Sequence, residues 1–189
     1  MKLEEKAKEV EVVFAELDKQ IEAFQSTTNL HCKLGCGKCC FKPDIEATTL
    51  ELLPLAFHLH KLGKAEEWLD KLGELDSSIC YILNPTQNKV GMCSEYAHRA
   101  LICRLFGYSA RTNKYGKKEL ITCQIIKSEQ EEAYVKVVTE IDGGLPVPVM
   151  NQFYMQLQSI DYELTKTFYP INEALKNALE TVCQYYVYR

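Results

Sequence analysis

His31-Cys32-Lys33-Leu34-Gly35-Cys36-Gly37-Lys38-Cys39-Cys40-Phe41 holds four cysteines within nine residues, spaced C-x3-C-x2-C-C. Thiolates packed this closely repel one another unless a cation lies between them. Gly35 and Gly37 oppose a continuous helix here and favour tight turns, which point backbone N–H groups at sulfur. Four more cysteines follow, at Cys80, Cys93, Cys103 and Cys123. The pattern predicts a protein organised around metal bound by cysteine. A closed zinc site takes four ligands, so these eight cysteines would fill two. Adjacent Cys39 and Cys40 normally project in different directions, which favours two centres, or a bridged one, over a single mononuclear site. Thiolate suits zinc, copper(I) and iron–sulfur centres alike. The ninth cysteine, Cys183, sits in an apolar helical segment and reads as a small core residue.

Working outward, the bulk composition agrees with a metal reading and disfavours a disulfide framework. Nine is an odd number of cysteines. The N-terminus MKLEEKAKEVEVVF has no apolar h-region and no small-residue cleavage site, so it does not read as a signal peptide. The expectation is a reducing, cytoplasmic setting in which disulfides are uncommon. No run of about eighteen apolar residues occurs, so no membrane span is expected. At 47% hydrophobic and 25% charged, the 189 residues can bury a core without relying on metal alone. A net charge of -4 gives no global reason to expect nucleic acid as a partner.

The expected fold class is mainly α, a helical domain with a small β-hairpin and a cysteine-rich metal-binding core. Three parts compose it: an amphipathic helix over 1–28 packed on the domain, a cysteine-cluster domain over 29–125, and C-terminal helices over 126–189 that complete it. Leu3, Ala7, Val10, Phe14, Leu17, Ile21 and Phe24 step by four and three, an a/d stripe on one long helix. That stripe faces either the protein's own core or a homodimer or protein partner. Thr48 or Thr49 caps a helix to about Leu62, stopped by Gly63, with Pro54 about a turn inside as a possible kink. Lys64 to Leu75 follows as a helix. The piece Cys80 to Leu83 ends in the turn-rich stretch Asn84 to Asn88. Ser94 is expected to cap a helix from Glu95 to Phe106, ended by Gly107. Tyr108 to Thr122 reads as a hairpin turning near Asn113 to Gly116. Helices are expected over 128–141, 149–164 and 171–188, the last opened by Pro170.

Charge near the cysteines points to supporting roles. Six basic residues and no acidic one lie between Arg99 and Lys118. Arg99 and Arg104 flank Cys103, and are candidates to hold a cofactor by donating to sulfur or to a carboxylate such as Glu95. Lys114, Lys117 and Lys118 read as a solvated hairpin surface. His31 and His98 are candidates for ligands or for donors to the ligands. His58 and His60 diverge on a helix and read as surface or packing residues. The triplet C-x3-C-x2-C also matches the loop of radical S-adenosylmethionine enzymes, but the chain shows no succession of βα units to carry it.

The order Cys32-x3-Cys36-Gly-x-Cys39-Cys40, Cys80-Tyr-Ile-Leu, Cys93-Ser-Glu-Tyr96-Ala-His-Arg99, Cys103-Arg104-Leu-Phe and Cys123 resembles the YkgJ-type cysteine-cluster family over about residues 29 to 125. Its members are described as zinc- or iron-chelating proteins, and its eight cysteines fall on the eight grouped above. Where the family has Arg-Pro, this chain has Arg99-Ala100. A similar cluster occurs in flagellin lysine methylases. The resemblance implies a protein holding an iron–sulfur cluster or zinc through eight cysteines. Two other functions fit the sequence: a redox or methylation-linked enzyme that uses the cluster, and a zinc-stapled interaction module. No Gly-rich phosphate loop or serine triad assigns a reaction.

Overall fold

The computed structural model describes residues 1–33, 35–85 and 91–188. The a/d stripe builds α1, Leu3–Thr28, and Ala7, Val10, Phe14, Leu17, Ile21 and Phe24 are all buried along it. These residues pack inside the chain, where α1 meets α2 (Leu53–Lys61), α4 (Leu101–Leu105) and α7 (Met150–Ile160). A dimer through that stripe would require α1 to leave its own core. The 17-residue α8 (Ile171–Val187) lies across α2 and α3 (Ala65–Glu74). Leu53, Leu55 and Leu59 share the main core with Leu175, Leu179 and Val182. Each such side chain, sealed from water, contributes about 1.5–3 kcal/mol.

A second, smaller core holds Phe24, Leu30, Ala110, Leu120, Ile126, Val137 and Ile141. It lies beneath α5 (Gln124–Glu129), α6 (Glu131–Asp142) and the hairpin of β4 (Ser109–Thr112) with β5 (Lys118–Ile121). The hairpin registers Ser109 against Ile121 and Thr112 against Lys118. Its turn is chemical: Asn113 Oδ1 accepts from the N–H groups of Tyr115 and Lys117 at 2.9 and 3.1 Å, and Gly116 takes φ 78°. Two further short pairs join β1 (Glu46–Ala47) to β6 (Tyr169–Pro170) and β2 (Leu83–Pro85) to β3 (Gly91–Cys93). Thr86, Gln87 and Asn88, in the expected turn after Leu83, lie outside the described residues. No described helix is long and apolar enough to cross a membrane.

Long-range contacts redraw several boundaries. The expected helix from Glu95 to Phe106 is instead a 3-10 turn, Tyr96–His98, an extended step at Arg99 and Ala100, and then α4. Arg104 holds this break open by binding the carbonyls of Ala97 and Arg99. Ser94 does not cap: its hydroxyl donates to the carbonyl of Ile82 at 3.2 Å. A 3-10 turn, Leu50–Leu52, precedes α2, so Pro54 falls in the first turn of that helix, where it needs no kink. The helix expected over 128–141 begins earlier, at Gln124, and is interrupted at Gln130. α7 ends at Ile160 because Asp161 turns out of the helix and its carboxylate takes the Leu164 N–H and the Lys6 ammonium.

Candidate metal centre

The cysteine stretch is shaped by two glycines and anchored by two distant side chains. Gly35 and Gly37 adopt φ 70° and 56°, a region that costs a side-chain-bearing residue energy. The chain reverses there into the 3-10 turn Lys38–Phe41, with Cys40 N–H donating to Gly37 O at 2.8 Å. Upstream, Gln130 binds both backbone groups of His31: its Oε1 accepts from the N–H at 3.1 Å and its Nε2 donates to the carbonyl at 2.7 Å. The Cys32 N–H donates to the Tyr108 hydroxyl at 2.6 Å. The bend between α5 and α6 thus places Gln130 to hold the entry of the loop. Neither anchor is visible in the sequence, because each reaches across 76 residues or more.

The sulfurs fall into two loose neighbourhoods whose members sense one another's charge, and among the described residues no three of them lie within 4.8 Å of one another. Cys32 feels Cys36, Cys123 and Cys39, and burial together with these neighbours pushes it up to about 11. Cys40 feels Cys39, Cys103 and Cys80. Burial pushes Cys80 up to about 11, with the charge of Cys93 adding to it. Cys103 is raised further by burial and then by Cys80, Glu51 and Cys93. The two neighbourhoods meet at one contact, Cys39 Sγ to Cys40 Sγ at 3.9 Å. There the Cys40 thiol hydrogen-bonds Cys39, which holds Cys39 below the ordinary thiol value and raises Cys40. No cysteine is paired in a disulfide. Backbone N–H groups are aimed at sulfur: Ile126 at Cys123 at 3.4 Å, Ile82 and Leu83 at Cys80, and Glu95 at Cys93. Soft donors, partly shielded from water and supplied with N–H partners, match what zinc or iron takes from a protein. Cys183 stands apart on α8, packed against the main core.

The arginines divide their work. Arg104 is 6% exposed, and all three of its nitrogens are engaged: Nε with Arg99 O, Nη2 with Ala97 O and Nη1 with Asp18. Its guanidinium also lies 4.6 Å from the Phe14 ring centre. It donates to neither sulfur nor Glu95, and instead ties α1 to the segment that carries Cys103. Arg99 lies over the Tyr96 ring at 4.0 Å, and its charge lowers Cys39, Cys93 and Cys103. Its charge thus reaches cysteines of both neighbourhoods. Two basic residues of the hairpin are engaged elsewhere, Arg111 with Glu119 at 3.0 Å and Lys114 over the Tyr115 ring.

Sequence reasoning missed Glu51 altogether. Fully buried, its carboxylate accepts from Thr48 N–H at 2.7 Å, Thr48 Oγ1 at 3.0 Å and Ile102 N–H at 3.2 Å. It caps α4 from outside, one residue before Cys103. The histidines also regroup. His31 is exposed and contributes only backbone bonds here, while His60 stacks on Tyr186 at 4.2 Å. His58 and His98 come together instead, stacked at 4.1 Å with Glu95 beside both.

An α-rich fold that brings unpaired, partly exposed thiols from separate stretches of chain to one face is a cysteine-cluster chelating domain. Residues 31–134 match the family model CxxCxxCC, described as "Putative zinc- or iron-chelating domain", and the chain belongs to that family. The match takes in all eight clustered cysteines and leaves α7, α8 and α1 outside it. No curated protein and no solved structure matches the chain.

Proposed function

We propose that this chain is a YkgJ-type metal protein with two adjoining tetrathiolate centres. Cys32, Cys36, Cys39 and Cys123 hold one, and Cys40, Cys80, Cys93 and Cys103 hold the other. What supports the reading is mutual charge sensing: Cys32 feels Cys36, Cys39 and Cys123, while Cys40 and Cys103 feel Cys80, and the sulfurs of each set must close up to share one ion. Four thiolates leave a formal charge of -2 on Zn²⁺, and also on an oxidised [4Fe–4S] core. Arg99 offsets part of that charge from between the sets, which makes it a positioning and tuning residue for both. The nine unpaired thiols support a reducing, cytoplasmic setting.

Metal analysis of protein purified without oxygen tests the division. Two zinc ions or two clusters per chain are expected. Cys36→Ser should lose the first centre and Cys103→Ser the second, each leaving about half the metal. Loss of all metal from either variant, or of none, would refute the two-set assignment. Colour identifies the metal: iron–sulfur protein is brown and absorbs near ~400 nm, and zinc protein is colourless.

A further inference from the structure

The 3-10 turn Tyr96–His98 brings a second group of metal-binding side chains together, and none of them is a cysteine. Residues i and i+3 eclipse on a 3-10 turn, so Glu95 and His98 present their side chains on the same side. His58 reaches them from α2. Glu95 Oε2 is 3.8 Å from His58 Nε2 and 3.7 Å from His98 Nδ1. Among the described residues, these form the one set of three side chains whose ligand atoms all lie within 4.8 Å of one another. The separations are too long for hydrogen bonds. They are close to those between neighbouring ligands of a first-row ion, roughly 3.4 Å at tetrahedral angles with bonds of ~2.0–2.2 Å. His98 Nδ1 is sealed from solvent and has no hydrogen-bond partner among the described residues. A buried ring nitrogen without a partner is costly, and a cation would satisfy it.

We propose that His58, Glu95 and His98 form a separate mononuclear site for a divalent first-row ion, zinc or ferrous iron. Two imidazoles and one carboxylate are a borderline donor set suited to these ions. Three protein ligands leave the remaining coordination positions to water or a small oxygen-bearing ligand, unlike a closed tetrathiolate. The rings stack at 20° between planes, so their in-plane lone pairs run nearly parallel. Ligation therefore requires one ring to turn about its χ2. His58 is the more exposed of the two, at 34% against 26% for the side chain, and is the ring that turns. The site adjoins the thiolate sets through Cys93, whose sulfur takes the Glu95 N–H. It shares no ligand with them.

Cobalt(II) titration of the reduced full-length chain tests the site by spectral class. Thiolate-bound cobalt gives intense sulfur-to-metal charge transfer, whereas cobalt on imidazole and carboxylate gives only weak visible d–d bands. The wild type should bind one equivalent of the second class. His98→Ala and Glu95→Gln should each weaken that equivalent at least about tenfold and leave the charge-transfer bands unchanged. His60→Ala, two residues from His58 on the same helix, should change neither. The charge-transfer bands report the cysteine sets in the same experiment, so failure of the tetrathiolate reading is seen apart from failure of this one. The proposal is overturned if no equivalent free of charge transfer binds, or if its affinity is the same in His98→Ala and Glu95→Gln as in the wild type.

Discussion

Glu51→Ala will lower the unfolding free energy by about 2–4 kcal/mol, with loss of the metal centre that depends on Cys103. The carboxylate is fully buried and is the acceptor for two backbone N–H groups and one hydroxyl. Alanine removes that acceptor and leaves a cavity, and each orphaned N–H costs about 1–3 kcal/mol. Relief of carboxylate burial returns part of this. Glu51→Gln keeps the volume but has a single acceptor oxygen, so its NH2 must face an N–H group, and about 1–3 kcal/mol is lost. The two variants also separate by pH. Burial raises Glu51 to about 7, above its ordinary 4.5, so between those values the folded state holds a proton that the unfolded chain has released. The carboxyl's contribution to stability is therefore fully present below about 4.5 and is lost as pH rises to about 7. Glu51→Gln lacks this dependence. The gap between wild type and Glu51→Gln in urea unfolding should narrow from pH 5 to pH 8. A constant gap would show that Glu51 ionises as an exposed carboxylate does. An alanine variant as stable as wild type would show that α4 needs no cap from outside.

The contrast between Glu51 and α1 shows what the sequence can and cannot carry. The α1 stripe is a local repeat, legible because seven apolar residues recur at helical spacing, and it forms the helix it describes. The cysteine spacing is legible for the same reason, since Gly35 and Gly37 announce the turn between Cys32 and Cys40. Glu51 sits in an apolar run, Leu50-Glu51-Leu52-Leu53, where nothing marks a capping residue for a helix 50 positions later. The break at Arg99 is equally hidden. Leu101 to Phe106 has helical character, but Glu51 taking the Ile102 N–H and Arg104 folding back on Ala97 and Arg99 set its start short of Glu95. His58 joins His98 because α2 and the 3-10 turn pack together, and no spacing between them encodes it. What escapes the sequence is long-range polar chemistry, whose partners are chosen by the assembled fold.

Removing the metal should disorder the cysteine face and spare the helical body. The helices α1, α2, α3, α7 and α8 carry none of the eight clustered cysteines, and Cys80, Cys93 and Cys103 only pack against the edge of the core they share. Val10, Leu17, Leu53, Leu59, Leu157, Leu179 and Val182 in it are wholly buried without help from sulfur. The helices beside the thiols are short, five residues in α4 and six in α5, against 26 in α1 and 17 in α8. Small zinc domains unfold when stripped because metal binding supplies most of their folding energy. A chain of 189 residues with a core of this size does not depend on it to that degree. After chelation under reducing conditions, far-UV circular dichroism should lose only a minor part of its helical signal. Hydrogen exchange should accelerate over 31–33, 35–41, 80–85 and 91–103, where metal-bound thiolates and their N–H···S bonds no longer hold the backbone, while α1, α2 and α8 stay protected. The eight thiols should become reactive together or in two groups of four, according to whether the centres are lost at once or in turn. Cooperative loss of the whole helical signal on chelation would overturn this division, and would make the thiolate centres the nucleus on which α1 and α8 assemble.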